Sequence, residues 1–215
     1  MTAVKIFVEG IADEKFLKDY LDYLLPNSVI SSALDETVKN AGGWTNIASK
    51  KKEEDDSGIN AMRKNTDNGG VNLVVFDADK DFEERKREIE NWKGKHNLTF
   101  ELFLLPDNKS AGALEDLLEK IIINRNKPIL DCWDGFEACI QKSASCKMGT
   151  DLTIPAKKTK IYAYLEVLLG QSKKEKEKIK ERERNYKNAE HWNLGCGFLE
   201  PLKKYLLDHI PDACK

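Results

Sequence analysis

Residues Val71-Asn72-Leu73-Val74-Val75-Phe76 form a largely apolar, β-branched run that stops abruptly at Asp77-Ala78-Asp79-Lys80-Asp81. The run is too short for a buried helix and reads as a central strand covered on both faces, the pattern of a parallel sheet. Ligands of open α/β sheets bind beyond the carboxyl ends of the strands. Asp77, Asp79 and Asp81 therefore stand where chemistry is expected. Carboxylates this close repel one another unless a cation lies between them, and hard oxygen ligands suit Mg²⁺ or Mn²⁺. The bland alternative is a polar strand-to-loop transition with a capping Asp.

Two further strands end in the same way. Val4 to Val8 runs into Glu9-Gly10, after which Phe16, Leu17, Tyr20, Leu21 and Leu24 recur at helical spacing. Asp13 sits at the N-cap or first turn of that helix, where its charge favours the dipole. Thr99 to Leu105 is a strand that stops at Pro106-Asp107-Asn108. Between these strands, Ser28 to Gly43 holds a short strand around Val29-Ile30 or near Val38, and Gly42-Gly43 marks a turn. The polar stretch from Asn46 to about Asn65 reads as a solvated helix or loop. Phe82 to Trp92 reads as a helix anchored by Ile89 and Trp92. Leu114, Leu117, Leu118, Ile121 and Ile122 mark one buried helix face, with Glu115 and Asp116 near its start complementing the dipole.

After Pro128 the organisation changes, which predicts an α/β core over 1–128 and a helical extension over 129–215 packed on it. Cys132, Cys139 and Cys146 recur every seven residues and read as three partly buried thiols on one helix face, since metal-binding cysteine pairs come closer together. Ile161, Tyr162, Leu165, Leu168 and Leu169 predict another helix. Residues 173–184 mix both signs and read as an exposed helix or tether, and His191 to Ile210 as an amphipathic helix docked on the core.

The formal net charge is −2, from 35 Lys and Arg against 37 Asp and Glu, so the whole chain carries no electrostatic footprint for nucleic acid. No apolar run approaches the length of a membrane span, and the start has no signal-peptide layout. Five cysteines is an odd count without the dense spacing of a disulfide scaffold. The expected location is the cytoplasm.

In a parallel sheet the three acidic strand ends converge on one edge, so a single shared site explains them better than three separate structural reasons. Val8-Glu9-Gly10-Ile11-Ala12-Asp13 also resembles the VEGxxD opening of Toprim domains, and Phe76-Asp77-Ala78-Asp79 resembles their hhhDxD motif. Gly42-Gly43 lies where a glycine pair often closes a Toprim strand. Leu105-Pro106-Asp107-Asn108 and Gly112-Ala113-Leu114-Glu115-Asp116-Leu117-Leu118 resemble segments of small Toprim-like proteins of the DUF3226 and OLD-nuclease-related group. The resemblance spans about residues 4–122.

It implies a Toprim-like, Rossmann-like α/β fold with a mainly parallel sheet flanked by helices. It implies Mg²⁺ or Mn²⁺ held by Asp77 and Asp79, with Glu9 as a ligand or general acid/base, Asp13 and Asp81 assisting, and Glu115 completing a second metal position. The function implied is metal-dependent phosphodiester processing of nucleic acid, as in a nuclease. The alternative is a non-catalytic Toprim-like module that binds DNA or RNA or regulates. No P-loop, primase zinc module or topoisomerase breakage domain accompanies the motifs. Asp81 departs from the DxDx[TV] pattern of haloacid-dehalogenase-like phosphatases, and Phe82 replaces the glycine that an EF-hand loop requires.

Overall fold

The computed structural model describes residues 3–43, 57–145 and 152–210. Four strands form one sheet: β1 (Val4–Val8), β2 (Val38–Asn40), β3 (Val71–Asp77) and β4 (Glu101–Leu105). All three pairings are parallel, and the order is β2-β1-β3-β4. This is the expected α/β, Rossmann-like arrangement. The chain moves from β1 to one side to place β2, then returns to the other side of β1 for β3. That reversal makes the β1/β3 boundary the topological switch point, where ligands of such sheets bind.

Helix α1 (Ile11–Leu24) follows β1, and two short helices, α2 (Val29–Ser32) and α3 (Leu34–Thr37), precede β2. Of the two strand positions left open in this segment, Val38 holds one and Val29-Ile30 is helical. Ser28 starts α2 by accepting the Ser31 N–H at 3.0 Å, which turns the chain before it can extend. Helix α4 (Ser57–Asp67) precedes β3, and α5 (Phe82–Lys95) follows it. The Lys50–Asp56 charge run lies outside the described residues.

Strand alternation sorts the core into two layers. Val4, Ile6, Val8, Leu73, Val75 and Phe103 face α1 and α6 (Leu114–Ile121). Phe7, Val74, Phe76 and Leu104 face Ile59 and Met62 of α4 and Ile89 and Trp92 of α5. Burying one such side chain contributes about 1.5–3 kcal/mol. Asn72 is the polar exception inside β3, 2% exposed. Its amide nitrogen lies 2.9 Å from the Met62 carbonyl oxygen, 2.9 Å from Thr66 Oγ1 and 3.0 Å from the Thr99 carbonyl oxygen.

The C-terminal part contains α7 (Lys127–Ser145), α8 (Lys157–Leu169), α9 (Lys173–Glu177) and α10 (Glu200–His209). Ile161, Tyr164, Tyr186, Trp192 and Leu206 belong to the same apolar cluster as β1, α1 and α6. Tyr205 of α10 donates its hydroxyl to the Glu101 carbonyl oxygen at 2.8 Å.

Three expectations for this part are corrected. Cys132 and Cys139 are exposed rather than partly buried, because α7 turns other residues inward; Cys146 lies outside the described residues. Residues 191–196 form turns, Gly197–Leu199 is one turn of 3-10 helix, and α-helix begins only at Glu200, with Pro201 in its first turn. Asn193 explains the delay by accepting the Gly195 N–H at 3.1 Å. Residues 173–184 are neither one helix nor a tether: α9 ends at Glu177, and Ile179 and Arg184 are buried. No helix of the described residues is long and apolar enough to cross a membrane.

Candidate metal centre

Each carboxylate of the candidate site is positioned by backbone. Asp77, the last residue of β3, continues the Leu73, Val75 alternation and so lies on the α1/α6 face. Its Oδ1 accepts the Leu114 N–H at the start of α6, at 3.0 Å. Its own N–H donates to Glu9 Oε1 at 3.3 Å, bridging the ends of β1 and β3. Asp13, 8% exposed, lies one turn into α1, and its Oδ2 accepts the Gly10 N–H at 3.0 Å. A side chain at Gly10 would meet this oxygen at 2.9 Å from its Cβ, so the close cap suits glycine. Glu115 sits in the first turn of α6.

Glu9, Asp13, Asp77 and Glu115 therefore gather at the switch point, between two helix N-termini. Their electrostatics record it. Burial raises the Asp13 carboxyl from 3.8 to about 7, with the charges of Glu9 and Glu115 adding to the effect. Burial raises Asp77 from 3.8 to about 8, followed by repulsion from Asp13, Glu9 and Glu115. Both groups hold protons near neutrality, where an ordinary aspartate is ionised.

Asp79 and Asp81 are engaged elsewhere. Asp79 adopts a left-handed backbone, φ 54°, and forms a reciprocal pair of 2.8 Å hydrogen bonds with Gly112. Its half-exposed carboxylate pairs with Arg85. Asp81 caps α5 by accepting the Glu84 N–H at 2.9 Å. Both line a shallow open rim with Glu84, Arg85 and Glu88. Asp107, at the end of β4, is also a turn residue, accepting the N–H groups of Lys109 at 3.2 Å and Ser110 at 2.8 Å. Asp116 repeats the role of Asp13, accepting the Ala113 N–H at 2.8 Å, and pairs with Lys157 of α8 at 2.6 Å.

The model of one protein family, a protein of unknown function (DUF3226), matches residues 3–202. The chain belongs to the DUF3226 family. No curated protein and no solved structure matches it.

Tyr186 reaches this DUF3226 site from the C-terminal part, with Arg184 beside it, and the sequence reading missed both. Tyr186 is fully buried, packs edge-on against Phe16 with ring centroids 5.4 Å apart, and has its N–H held by Asp19 Oδ2 at 2.8 Å. Burial pushes its phenol up to about 12; the charges of Asp13 and Glu115 act in the same direction, and Arg184 opposes them. Arg184, 2% exposed, stacks on Tyr162 with its guanidinium 4.5 Å from the ring centroid and donates Nε to the Ile179 carbonyl at 2.9 Å. Its Nη2 is buried without a hydrogen-bond partner. The available signal was Ile179 and Tyr186, apolar residues within and just after the 173–184 run otherwise read as solvated.

The donor chemistry fits a hard divalent cation, because every candidate ligand is a carboxylate. The repulsion that raises Asp13 and Asp77 is also what a cation among them would relieve. However, no three His, Cys, Asp or Glu side chains of the described residues stand close enough together to hold an ion in the present arrangement. The carboxylates are grouped electrostatically but not closed into a coordination shell.

Proposed function

We propose that this protein is a Mg²⁺- or Mn²⁺-dependent, Toprim-like phosphodiester-processing protein acting on nucleic acid in the cytoplasm, with nuclease activity. The observation that carries the reading is the grouping of Glu9, Asp13, Asp77 and Glu115 at the β1/β3 switch point, where Asp13 and Asp77 are destabilised as anions. The resemblance of the Glu9 and Asp77-Ala78-Asp79 segments to the two Toprim motifs supports it. The odd cysteine count supports the cytoplasmic location.

Asp77, Glu9 and Glu115 would hold the cation, with Asp79 and Asp81 at the rim. When bound, a divalent ion supplies charge neutralisation for the phosphate and activation of water. The chain's own contribution is proton handling and orientation. Asp13, protonated up to about pH 7, is a reservoir for the proton that the leaving oxygen takes when the P–O bond breaks. Backbone N–H groups of Gly10 and Leu114 fix the directions of Asp13 and Asp77.

The test is calorimetric titration of Mn²⁺ and Mg²⁺ into wild type and Asp77→Asn/Asp79→Asn, followed by cleavage assays on single- and double-stranded DNA and RNA. Saturable binding lost in the double variant, and cleavage lost in Glu9→Gln, are expected. Unchanged cleavage by the folded double variant would refute the proposal.

A second reading is favoured by the open carboxylate arrangement and by the Arg85–Asp79 pair: a Toprim-like module that binds nucleic acid without cleaving it. Binding without turnover across several divalent ions would select it.

A further inference from the structure

At the opposite ends of α1 and α6 from the carboxylates, a groove of ≈ 540 Å³ is lined by the ends of these helices and by the turns of residues 187–198. Lys120, Lys127 and Lys187 line it, and no Asp or Glu does. The contrast with the larger concavity beside α1 is sharp. There Lys15, Lys18 and Arg182 are matched by Glu14, Asp19, Asp35 and Glu36. In a chain with more acidic than basic residues, an all-cationic concavity is a local exception.

The groove also carries rings. Tyr23 is 48% exposed and Phe198 57% exposed, while Trp192 forms part of the wall. Lys120 Nζ lies 5.9 Å from the Phe198 ring centroid. Lys187 is held by Asp22 at 2.5 Å, whereas Lys120 and Lys127 pair with no carboxylate of the described residues. The N-terminus of α7 begins at Lys127, and its dipole favours negative charge at the rim.

Cations track phosphates, and exposed aromatic faces stack unpaired bases; the combination is what single-strand binding uses. An acidic peptide would engage the lysines but leave the rings unused. We infer that this groove binds single-stranded nucleic acid through phosphate contacts at Lys120 and Lys127 and base stacking on Phe198 and Tyr23. The inference rests on the proposed function only for its choice of polymer, since the groove lies at the other edge of the sheet from the carboxylates.

Fluorescence anisotropy of a labelled oligothymidylate in EDTA tests it, with cleavage switched off. Wild type should bind saturably. Lys120→Glu/Lys127→Glu should weaken binding tenfold or more and flatten the slope of log K against log salt by about 1.4, two phosphates at roughly 0.7 each. Phe198→Ala should weaken binding about fivefold with an unchanged salt slope. Thermal melts establish that the variants fold.

Equal affinity of all variants, or no binding by wild type, overturns the inference. Equal competition by polyglutamate together with an unaffected Phe198→Ala also overturns it, in favour of an acidic protein partner. The two proposals fail separately. Groove-dependent binding without cleavage in Mg²⁺ or Mn²⁺ removes only the nuclease; cleavage by wild type with unaltered binding in the lysine and Phe198 variants removes only the groove.

Discussion

The carboxylate of Asp77 accepts the backbone N–H of Leu114 at 3.0 Å, joining the end of the central strand to the first turn of α6. An asparagine there retains an oxygen for the same bond but loses the charge that Asp13, Glu9 and Glu115 repel. Asp77→Asn is therefore expected to stabilise the metal-free protein at pH 8.5, by about 2 kcal/mol after allowance for partial solvation. For a chain of this size that is roughly 4–8 °C in Tm. Differential scanning calorimetry in EDTA checks it; a lower Tm than wild type would mean that the carboxylate is structurally needed.

Stability should also depend on pH in a particular direction. Asp13 and Asp77 have folded-state values raised from 3.8 to about 7 and about 8. Between those limits the native state holds protons that the unfolded chain has released. Their contribution is thus fully present below about pH 3.8 and is lost as pH rises through about 7 and about 8. Their contribution should lower Tm from pH 5 to pH 8.5, and the fall should be shallower in Asp77→Asn. Affinity for Mn²⁺ should move the opposite way, rising over the same range as protons cease to compete. Melts and titrations at four pH values follow both.

Arg85 holds the Asp79 carboxylate, and Asp79 is half exposed. Removing the arginine should change stability by at most about 1 kcal/mol. If Asp79 joins the cation site, Arg85→Ala should tighten Mn²⁺ binding severalfold. Unchanged affinity in calorimetry would leave Asp79 outside the coordination shell.

Asn72 faces acceptors on α4 and on the approach to β4 from inside the central strand. Its Oδ1 also accepts the Asn65 amide at 2.9 Å. Asn72→Ala leaves these buried groups unsatisfied and should cost about 2–3 kcal/mol. Urea unfolding should show a lower midpoint with an unchanged slope. Asn72→Asp is expected to be worse, because it buries a charge and turns its second oxygen toward the Met62 and Thr99 carbonyl oxygens.

The sequence by itself determined the strands and helices whose patterns are local. Val71–Phe76 could be read because β-branched residues in a short run suit a doubly covered strand, and Leu114–Ile121 because its apolar residues recur every third or fourth position. The acidic strand ends were equally legible, since each lies within a few residues of its strand. The sequence did not distinguish Asp77 from Asp79, two positions apart with similar surroundings in the chain.

Only the tertiary structure separated them. Strand alternation turns Asp77 toward α1 and α6, while the Asp79–Gly112 bridge and Arg85 hold Asp79 at the rim. Grouping Glu9, Asp13 and Glu115 with Asp77 required the strand order β2-β1-β3-β4, which no local pattern specifies. The same holds for Arg184 and Tyr186. Their stretch carries a charged composition that suits solvent, and their burial follows from long-range contacts with α1 and α8, made some 20–170 residues away in the chain. Propensity and periodicity act over a few residues; convergence of charge is a property of the assembled sheet edge.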